Sequence, residues 1–303
     1  MSPGFPSPPI PPMEPVKCEK AFDSEDHIFQ VKWDGVRVLA FFNGAEVTLQ
    51  NRRLHDRTRQ YPELQSLRQL VKHPVIIDGE IIALKDGNPS FPTVMRRDGV
   101  RSANTAASLV KTVPISYMVF DILYYRNNLT TDLPWYKRHE ILQDVLSAMH
   151  PPFHVVDNFT GGLELFAQVQ RMKLEGIVAK VKDSRYIPGG KSSLWKKIKN
   201  RPLLTCHIGG FTRRGTTANS LLMGIFEQDR LLYIGRAGSG LREEQWESLT
   251  RVLSGVKTSS PPFENPPQQT GITWVKPVYQ AAVEYTEWTE KTHLRSPVIK
   301  QIL

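Results

Sequence analysis

The sequence has little of what marks a secreted or membrane protein. Only two cysteines, Cys18 and Cys206, occur in 303 residues, far apart and without a Cys-x-x-Cys partner. This pattern argues against a disulfide framework and against a zinc site. No apolar run approaches the roughly 20 residues that span a bilayer, and residues 1–15 carry seven prolines but no signal-peptide pattern. These absences predict a cytoplasmic protein with two free thiols.

The net charge of +9 is spread along the chain rather than gathered in a lysine-rich tail. Residues 1–200 hold 27 basic and 21 acidic groups, and residues 201–303 hold 12 and 9. A basic surface on both halves would suit a clamp around a polyanion such as nucleic acid. A basic enzyme without a polymer partner has the same balance, so charge alone leaves both interpretations open.

The length predicts two domains, each with enough apolar residues to bury a core. Residues 1–15 form a proline-rich leader that we expect to be disordered or extended. Over residues 16–200, strand and helix patterns occur without regular βαβ alternation, which predicts an α+β fold with largely antiparallel sheets. Strands are predicted at 28–33, 36–42, 46–50, 75–84, 115–124, 176–180 and 194–198, and helices at 61–71, 136–148 and 163–172.

The pattern of predicted strands and helices changes near Arg201-Pro202. Five short strands and one helix follow, with a loop rich in proline and serine at 258–270. That number and size predict an OB-type β-barrel over residues 201–303, a fold that often binds nucleic acid. The strands are predicted at 203–211, 221–227, 231–236, 274–276 and 280–286, and the helix at 242–253.

A lone lysine lies at the end of the first predicted strand, in Lys32-Trp33-Asp34-Gly35. Alternation places Lys32 and Asp34 on one face with Gln30, and turns residues 29, 31 and 33 toward the core. A covalent nucleophile fits this geometry, since lysine becomes nucleophilic when burial or a nearby cation favours its neutral form. A surface lysine in a turn fits the tetrapeptide equally well, so its meaning depends on the rest of the chain.

Two predicted strands carry acids among apolar residues. In Asp78-Gly79-Glu80, alternation puts both carboxylates on one face of a buried strand. Buried carboxylates need partners, so these acids either form structural ion pairs or bind a ribose hydroxyl or a metal ion. In Phe120-Asp121 the ring is either part of the core or a stacking platform for a purine.

Two later segments supply charge that suits phosphate chemistry. Glu175-Gly176 offers an acid fit for a hard cation such as Mg²⁺, although Glu-Gly pairs are also common turns. Alternation places Lys197 and Lys199 on one face, as a shared phosphate contact or as a solvated basic face. As a phosphate contact, the pair would stabilise charge on a phosphoryl oxygen and favour the neutral amine of Lys32.

In order and spacing, these segments resemble the serial motifs of covalent nucleotidyltransferases, the ATP-dependent DNA ligases and mRNA capping enzymes. The matching residues are Lys32-x-Asp34-Gly35-x-Arg37, Arg52, Asp78-Gly79-Glu80, Phe120-Asp121, Glu175-Gly176 and Lys197-x-Lys199. The second half is similar to the ligase domain of bacterial ligase D, which acts in non-homologous end joining. That similarity is carried by Gly209-Gly210-Phe211, residues 221–226, 233–240, 274–277 and 283–288, and Leu294-Arg295-Ser296-Pro297. The resemblance covers residues 9–303.

The resemblance implies a chemical role for each matched residue, with residues 16–200 as an adenylation domain. Lys32 becomes adenylated by ATP, with Asp34 beside it in the catalytic motif. Glu80 binds the ribose, and Phe120 stacks on adenine. The implied nucleotide contacts are Gln30, Val31, Arg37, Arg52, Glu80, Phe120, Lys197 and Lys199.

Phosphate and metal contacts are implied in the same way. Lys197 and Lys199 hold the α-phosphate, while Arg37 and Arg52 contact the ribose or the 5′-phosphate of a nick. The implied ligands of Mg²⁺ or Mn²⁺ are Glu80 and Glu175.

The last matched motif and two departures complete the comparison. Arg295 and Lys300 are implied to orient the leaving pyrophosphate when the OB domain closes. Gln30 stands where the family usually has Glu, which alters an adenine contact. Asn51 and Arg53-Leu54 replace the usual small residues around Arg52.

The resemblance also implies partners and location. It describes a cytoplasmic bacterial enzyme, monomeric and without membrane contact, that seals 5′-phosphate/3′-hydroxyl breaks in nicked or broken double-stranded DNA. The end-binding protein Ku and a separate repair polymerase are implied partners. Members of the family commonly carry fused polymerase and nuclease domains, and we expect none within these 303 residues.

Two other functions fit part of the sequence. An RNA ligase or a GTP-using capping enzyme has the same nucleophile, but the similarity of residues 201–303 to ligase D favours DNA. An inactive OB-type nucleic-acid-binding module would have no reason to keep Lys32, Glu80, Glu175 and Lys197 together. Transfer of label from ATP or GTP to the protein separates these possibilities.

Overall fold

A computed structural model describes residues 5–147, 150–289 and 292–303 of the chain. Residues 1–4 of the predicted leader and residue 148 of the predicted helix 136–148 lie outside this set. The chain divides into two compact units, Met1–Asn200 and Arg201–Leu303. None of the described helices is long and apolar enough to cross a membrane.

The first unit is a mixed α+β structure. Its strands are β1 (Glu14–Lys17), β2 (His27–Lys32), β3 (Val36–Phe42), β4 (Val47–Asn51), β5 (Val75–Lys85), β6 (Asn88–Pro89), β7 (Ile115–Tyr125), β8 (Asn128–Leu129), β9 (Phe153–Val155), β10 (Gly176–Val181) and β11 (Lys191–Lys199). A 3-10 turn at Pro62–Ser66 precedes α1 (Leu67–Leu70), and the other helices are α2 (Phe91–Asp98), α3 (Ala103–Thr112), α4 (Trp135–Val145) and α5 (Gly162–Arg171).

These strands form two sheets. The larger has the order β4-β3-β5-β7-β8, with β6 beside β5 and β9 beside β7, and the smaller has the order β1-β11-β10-β2. Only the β1–β11 and β7–β9 pairs are parallel, so the predicted α+β class with largely antiparallel sheets is confirmed. The central strand β5 is rich in β-branched residues and buried along nearly its whole length, as expected for a strand covered on both faces.

The two sheets pack face to face. Leu39, Phe41 and Ile76 from the larger sheet share a core cluster with Trp195 from the smaller one. On its other face the larger sheet packs with α1, α2 and α4, while α5 covers the other face of the smaller sheet. Side chains between the sheets therefore come from strands far apart in sequence.

The described part of the leader, residues 5–15, contains no helix, runs into strand β1 and packs onto this unit, which fits the extended alternative of the prediction. Met13 is fully buried, and the backbone of Ile10 exchanges two hydrogen bonds of 2.8 and 2.7 Å with the Gln50 side chain. The ring of Phe5 contacts that of Tyr124 edge-on. The prolines of the leader prevent helix formation, but its few apolar side chains still pack against the core.

The prediction omitted α2 and α3. Both are short, with 8 and 10 residues. Their N-termini do carry a recognisable signal, because the side chains of Ser90 and Ser102 cap the backbone N–H groups of Thr93 and Thr105.

The second unit contains six strands and one helix among the described residues, one strand more than predicted. The elements are β12 (Leu203–Arg214), β13 (Thr217–Glu227), β14 (Arg230–Ala237), α6 (Glu243–Ser254), β15 (Ile272–Trp274), β16 (Gln280–Glu284) and β17 (Val298–Ile302). The sheet order is β14-β13-β12-β16-β17, with β15 beside β12. The prediction omitted β17, although Ile299 from this strand is buried in the core of the unit.

Candidate active site

A cavity of about 650 Å³ opens in the first unit. Its walls come from β2, β3, β5 and β7 and from the strands β10 and β11 of the smaller sheet. The sequence-predicted residues that line it are Gln30, Val31, Lys32, Arg37, Arg52, Glu80, Phe120 and Lys197. One concave site therefore gathers residues that lie up to 167 positions apart in sequence (Gln30 and Lys197).

Strand pairing explains how the lysines come together. On the smaller sheet, β10 pairs with both β2 and β11 in antiparallel register. The two cross-strand rows at this end are Lys32–Gly176–Lys199 and Gln30–Val178–Lys197. Residues two apart on a strand share a face, so both rows face the same side of the sheet.

Two glycines allow the close approaches that shape this end of the cavity. A Cβ at Gly176, whose φ is +153°, would lie 2.2 Å from the carbonyl oxygen of Ile198. A Cβ at Gly35 would lie 2.2 Å from the carbonyl oxygen of Ile81. Because β2 ends at Lys32, just before the bend at Gly35, Trp33 lines the cavity. The prediction that residue 33 points into the core is therefore wrong.

Glu175 forms ion pairs with two of the lysines predicted from the sequence, Lys32 and Lys199. Its Oε2 lies 2.5 Å from Nζ of Lys32, and its Oε1 lies 2.7 Å from Nζ of Lys199. The side chain of Glu175 is 9% exposed, so these ion pairs are largely protected from solvent. One carboxylate thus holds the predicted nucleophile and a predicted phosphate contact together.

Glu80 faces the same end of the cavity from β5. Burial raises the pKa of Glu80 to about 7, and the nearby charge of Glu175 adds to this, while the positive charges of Lys32 and Arg37 oppose it. Burial, together with the positive charge of Lys32, also lowers the pKa of Lys197. Glu80 can therefore exchange a proton near neutral pH.

Asp78 and Glu80 have different surroundings: Asp78 forms an ion pair in the core, whereas Glu80 lines the cavity. Asp78 is fully buried, and its two oxygens accept hydrogen bonds of 3.0 and 2.6 Å from Arg37. The hydroxyl of Tyr186 donates to the same carboxylate at 2.7 Å. Arg37 also donates to the carbonyl oxygen of Met13. Asp78 therefore forms a structural ion pair, and the ligand contact implied for Arg37 stays a prediction.

Phe120 lies where the cavity meets the core between the sheets. Its ring is partly buried and packs edge-on against Trp195, with centroids 6.4 Å apart. Nζ of Lys180 lies 4.6 Å from the Phe120 ring centroid and 4.1 Å from that of Trp195, a cation–π arrangement. The ring borders both core and cavity, so its exposed part is available to a purine.

Lys180 was not singled out from the sequence. It is 2% exposed, and burial lowers its pKa to about 7. The available signal was a lysine in the otherwise apolar strand β10, two residues after Val178 and therefore on the cavity-facing side.

The remaining predicted residues lie in different surroundings. Arg52 forms an ion pair of 2.9 Å with Glu14 at the cavity rim, and its side chain is 63% exposed. Asp34 is partly buried beside Lys32. Arg295 and Lys300 belong to the second unit, where they pair with Glu287 and Glu284, respectively. Their contact with pyrophosphate stays a prediction.

The donor set fits a divalent cation that also binds substrate. Among the residues that the structure describes, no cluster of three or more His, Cys, Asp or Glu side chains forms a ready metal cage. Mg²⁺ in nucleotide sites commonly takes one or two carboxylates together with waters and phosphate oxygens. Glu80 and Glu175, whose charges interact, supply that number of carboxylates near the lysines that are predicted to contact phosphate.

We expect Phe120→Leu to raise the KM for ATP by about 5- to 50-fold, the range for loss of most of one base-stacking contact. Leucine keeps most of the apolar volume and Phe120 is only partly buried, so the melting temperature should change less than for a fully buried ring. Initial-rate kinetics and thermal melts test this, with Phe41→Leu as a control because Phe41 is 1% exposed in the same core cluster. The control should lower the melting temperature and leave KM unchanged. The same pattern for Phe120→Leu would assign Phe120 to the core.

We expect Glu80→Gln to flatten the pH dependence of ATP affinity. Because burial raises the pKa of Glu80 to about 7, the wild-type carboxylate ionises as the pH rises through neutrality. The ionised form accepts a ribose hydroxyl or binds a cation, so affinity for ATP with Mg²⁺ should rise from about pH 6 to about pH 8. Glutamine cannot ionise, so the variant should lack this rise. Protonation of ATP itself affects the affinity of both proteins equally and therefore does not account for a difference between them. An identical rise in the variant would assign the titration to another group.

Two family models match the chain. One, described as the ATP dependent DNA ligase domain, matches residues 12–199, and the other, described as the ATP dependent DNA ligase C terminal region, matches residues 214–302. Each match falls almost entirely within one of the two structural units. The second unit is the OB-fold region of these enzymes, as predicted.

Curated relatives are longer than this chain. The multifunctional non-homologous end joining DNA repair protein LigD of Mycobacterium tuberculosis is 32% identical over 277 residues, 88% of this chain and 35% of that protein. The DNA ligase of Methanoculleus marisnigri is 32% identical over 251 residues, 78% of this chain and 45% of that protein. The chain therefore spans about a third to a half of these two relatives.

Solved structures cover the chain more completely. A mycobacterial DNA ligase D complexed with ATP and MES is 31% identical, with a TM-score of 0.59 over 97% of this chain and 95% of that one. A Lig E DNA ligase, at 16% identity and a TM-score of 0.61, shows the shared fold alone. Since the two family models together account for most of its length, the chain belongs to the family of ATP-dependent DNA ligases.

Proposed function

We propose that this protein seals 5′-phosphate/3′-hydroxyl breaks in double-stranded DNA at the expense of ATP, through a lysyl-AMP and a DNA-adenylate intermediate. The observation that carries the proposal is the arrangement of Lys32, which lines the cavity, with Glu175 and Lys199 in one ion-paired group. The proposed nucleophile, its carboxylate counter-ion and a proposed phosphate contact thus lie within direct reach of one another. A binding module would not need this arrangement.

In the first step, the neutral amine of Lys32 attacks the α-phosphorus of ATP. A phosphorus–nitrogen bond forms, the bond to the bridging oxygen breaks, and pyrophosphate leaves. The ammonium group must first lose a proton to solvent, since Glu175, its counter-ion at 2.5 Å, is engaged by the divalent cation. A second proton leaves the nitrogen as the phosphorus–nitrogen bond forms. Lys197 and Lys199 stabilise the charge that develops on the α-phosphate oxygens.

In the second step, an oxygen of the 5′-phosphate at the break attacks the phosphorus of lysyl-AMP and releases the amine. In the third, the 3′-hydroxyl attacks the 5′-phosphate, a phosphodiester forms, and AMP leaves. The two lysines serve each step because all three move a phosphoryl group. Arg52, exposed at the cavity rim, is the proposed contact for the 5′-phosphate.

Metal binding and lysine pairing share one carboxylate. A divalent cation held by Glu80 and Glu175 would neutralise charge on the α-phosphate. Because Glu175 pairs with the ammonium of Lys32 in the free protein, any ligand that engages Glu175 removes this counter-ion. Its removal favours the neutral amine that attacks.

We propose that the second unit takes part in the first step, the adenylation of Lys32, and in no later step. Arg295 and Lys300 would orient pyrophosphate when the OB-fold unit closes over ATP, and Arg201-Pro202 at the unit boundary is the proposed hinge. Resemblance to the last ligase motif supports this assignment.

We also infer a role in non-homologous end joining, with nicked or broken DNA as substrate and with Ku and a separate repair polymerase as partners. Support comes from the name of the mycobacterial relative, which describes an end-joining repair protein. The matched region corresponds to 35% of that relative. The role in end joining is therefore tested with purified Ku. Stimulation of end sealing by purified Ku would support this role, and inhibition or no effect would count against it.

The direct test of ligation uses α-labelled ATP or GTP with Mg²⁺, followed by denaturing electrophoresis and a nick-sealing assay. We expect label on the protein from ATP, and sealed product from nicked duplex DNA. Label from GTP alone would support a capping enzyme, and labelling with sealing only of RNA would support an RNA ligase. No label from either nucleotide would support an inactive binding module.

A further inference from the structure

A carboxylate at the rim of the cavity interacts with two of the cations that line it. Glu14, the first residue of β1, lines the cavity together with Arg52 and Lys197. Its Oε1 lies 2.9 Å from Nε of Arg52, and its side chain is 33% exposed. Burial and the charge of Lys32 lower the pKa of Lys197, whereas the charge of Glu14 raises it. The carboxylate of Glu14 therefore acts on Arg52 and on Lys197 at once.

The backbone around Glu14 fixes the position of this carboxylate. The N–H of Glu14 donates to the carbonyl oxygen of Gly190 at 2.8 Å. The preceding residue, Met13, is fully buried, and its N–H donates to the hydroxyl of Tyr186 at 3.0 Å. On the other side of Glu14, strand β1 pairs with β11.

The ion pair with Arg52 is not what attaches this segment to the protein. The burial of Met13 and the backbone hydrogen bonds hold the segment in place, and ion pairs between exposed side chains contribute little to stability. An acid at this position needs another explanation, because the substrates proposed for the cavity are themselves anions.

The second step of the proposed reaction brings a phosphate to the same place. Arg52 is the proposed contact for the 5′-phosphate of the break, and Lys197 is a proposed contact for the α-phosphate of lysyl-AMP. An oxygen of the 5′-phosphate must reach the α-phosphorus, so the 5′-phosphate has to lie within reach of both cations. In the free protein the carboxylate of Glu14 is the anion that interacts with this pair. Two anions at one pair of cations repel each other.

We propose that Glu14 is an internal competitor of the 5′-phosphate, which displaces the carboxylate from Arg52 when DNA binds. This inference rests on the proposed function, since it concerns the DNA phosphate that accepts AMP. The backbone of the segment stays in place, and the half-buried side chain of Glu14 turns toward solvent. When sealed DNA leaves, the carboxylate pairs with Arg52 again. Glu14 therefore weakens the contact with the 5′-phosphate and favours release of the product.

A supporting role for Glu14 makes the opposite prediction. If the carboxylate held Arg52 in the position that receives the phosphate, loss of its charge would weaken binding of a 5′-phosphorylated nick. Competition predicts tighter binding instead. The two roles therefore differ in the sign of the effect.

The test compares two nicked duplexes that differ only in carrying a 5′-phosphate or a 5′-hydroxyl at the nick. Equilibrium binding is measured without ATP and in EDTA, so that no chemical step proceeds, for the wild type, Glu14→Gln, Arg52→Ala and the double variant. Glu19→Gln is the matched control, because it removes the same charge from an exposed residue that pairs with Lys17. The ratio of the two affinities separates the 5′-phosphate contact from the general effect of charge on DNA binding.

We expect the wild type to bind the 5′-phosphate nick more tightly than the 5′-hydroxyl nick. Glu14→Gln should raise this ratio by about 2- to 5-fold, the range for loss of an exposed ion pair, and Glu19→Gln should leave it unchanged. In the Arg52→Ala background, Glu14→Gln should have no effect on the ratio, because the competition acts through Arg52.

Three results would overturn the inference and leave the proposed function standing. They are an unchanged or lower ratio in Glu14→Gln, an equal gain in Glu19→Gln, and a gain that persists without Arg52. A wild type with no preference for the 5′-phosphate would instead reject the proposed contact of Arg52, and this inference with it.

Discussion

Lys32→Ala should abolish transfer of label from ATP to the protein, yet retain sealing of a nick that already carries a 5′-adenylate. The first step forms a bond to the amine, whereas the last joins the 3′-hydroxyl to the 5′-phosphate without it. Loss of one ion pair would not unfold the protein, so a complete loss of labelling would report the loss of the nucleophile itself. Denaturing electrophoresis with α-labelled ATP and a sealing assay on pre-adenylated duplex measure the two steps separately.

The matched control for this prediction is Lys196→Ala. Lys196 lies on β11 next to Lys197 but contacts the ring of Phe22, on the side of the smaller sheet that α5 covers. The Lys196→Ala variant should be labelled at the wild-type level. Wild-type labelling of Lys32→Ala would mean that another residue is the nucleophile. Loss of labelling in both variants would indicate damage to β11 and the sheet.

Arg295→Ala with Lys300→Ala should slow self-adenylation by about 10- to 1,000-fold, the range for losing donors that stabilise developing charge. Groups that contact only the leaving pyrophosphate stabilise the first transition state and no later one. Sealing of pre-adenylated nicks should therefore survive better. Single-turnover rates of both steps measure the difference.

Point substitutions are preferable to truncation at this site. Removing the chain from Leu294 onward would delete β17, including the buried Ile299, and so disturb the OB-fold core. Gln301→Ala, an exposed change on the same strand, is the control and should leave both rates unaltered. Equal losses in both steps for the double variant would show that these residues support folding or DNA binding, and the closure proposal would have to be dropped.

The sequence predicted individual strands better than it predicted how they meet. The strand at 75–84 was located almost to the residue, since β5 is a long run of β-branched and apolar side chains. Alternation likewise placed Lys197 and Lys199 on one face of β11. The pairing of Lys32 with Glu175, 143 residues away, depends on the register of β2 against β10. Local periodicity contains no information on that register.

Buried polar residues were the hardest part of the site to interpret from sequence. Asp78 and Glu80 have the same pattern in the chain, yet Arg37 neutralises one while the other faces the cavity. Lys180 stands alone in the sequence, and the rings of Phe120 and Trp195 that it contacts lie on other strands. Such contacts between distant segments cannot be read from the periodicity of a single chain.

The most direct measurement of the central claim is to map the site of nucleotide attachment. Wild-type protein is incubated with ATP and Mg²⁺, digested, and analysed by mass spectrometry for a peptide that carries one AMP. Our account predicts a single adduct, on the peptide containing Lys32, that disappears when nicked DNA is added and sealed. An adduct on any other residue, or none while nicks are sealed with ATP, would contradict it.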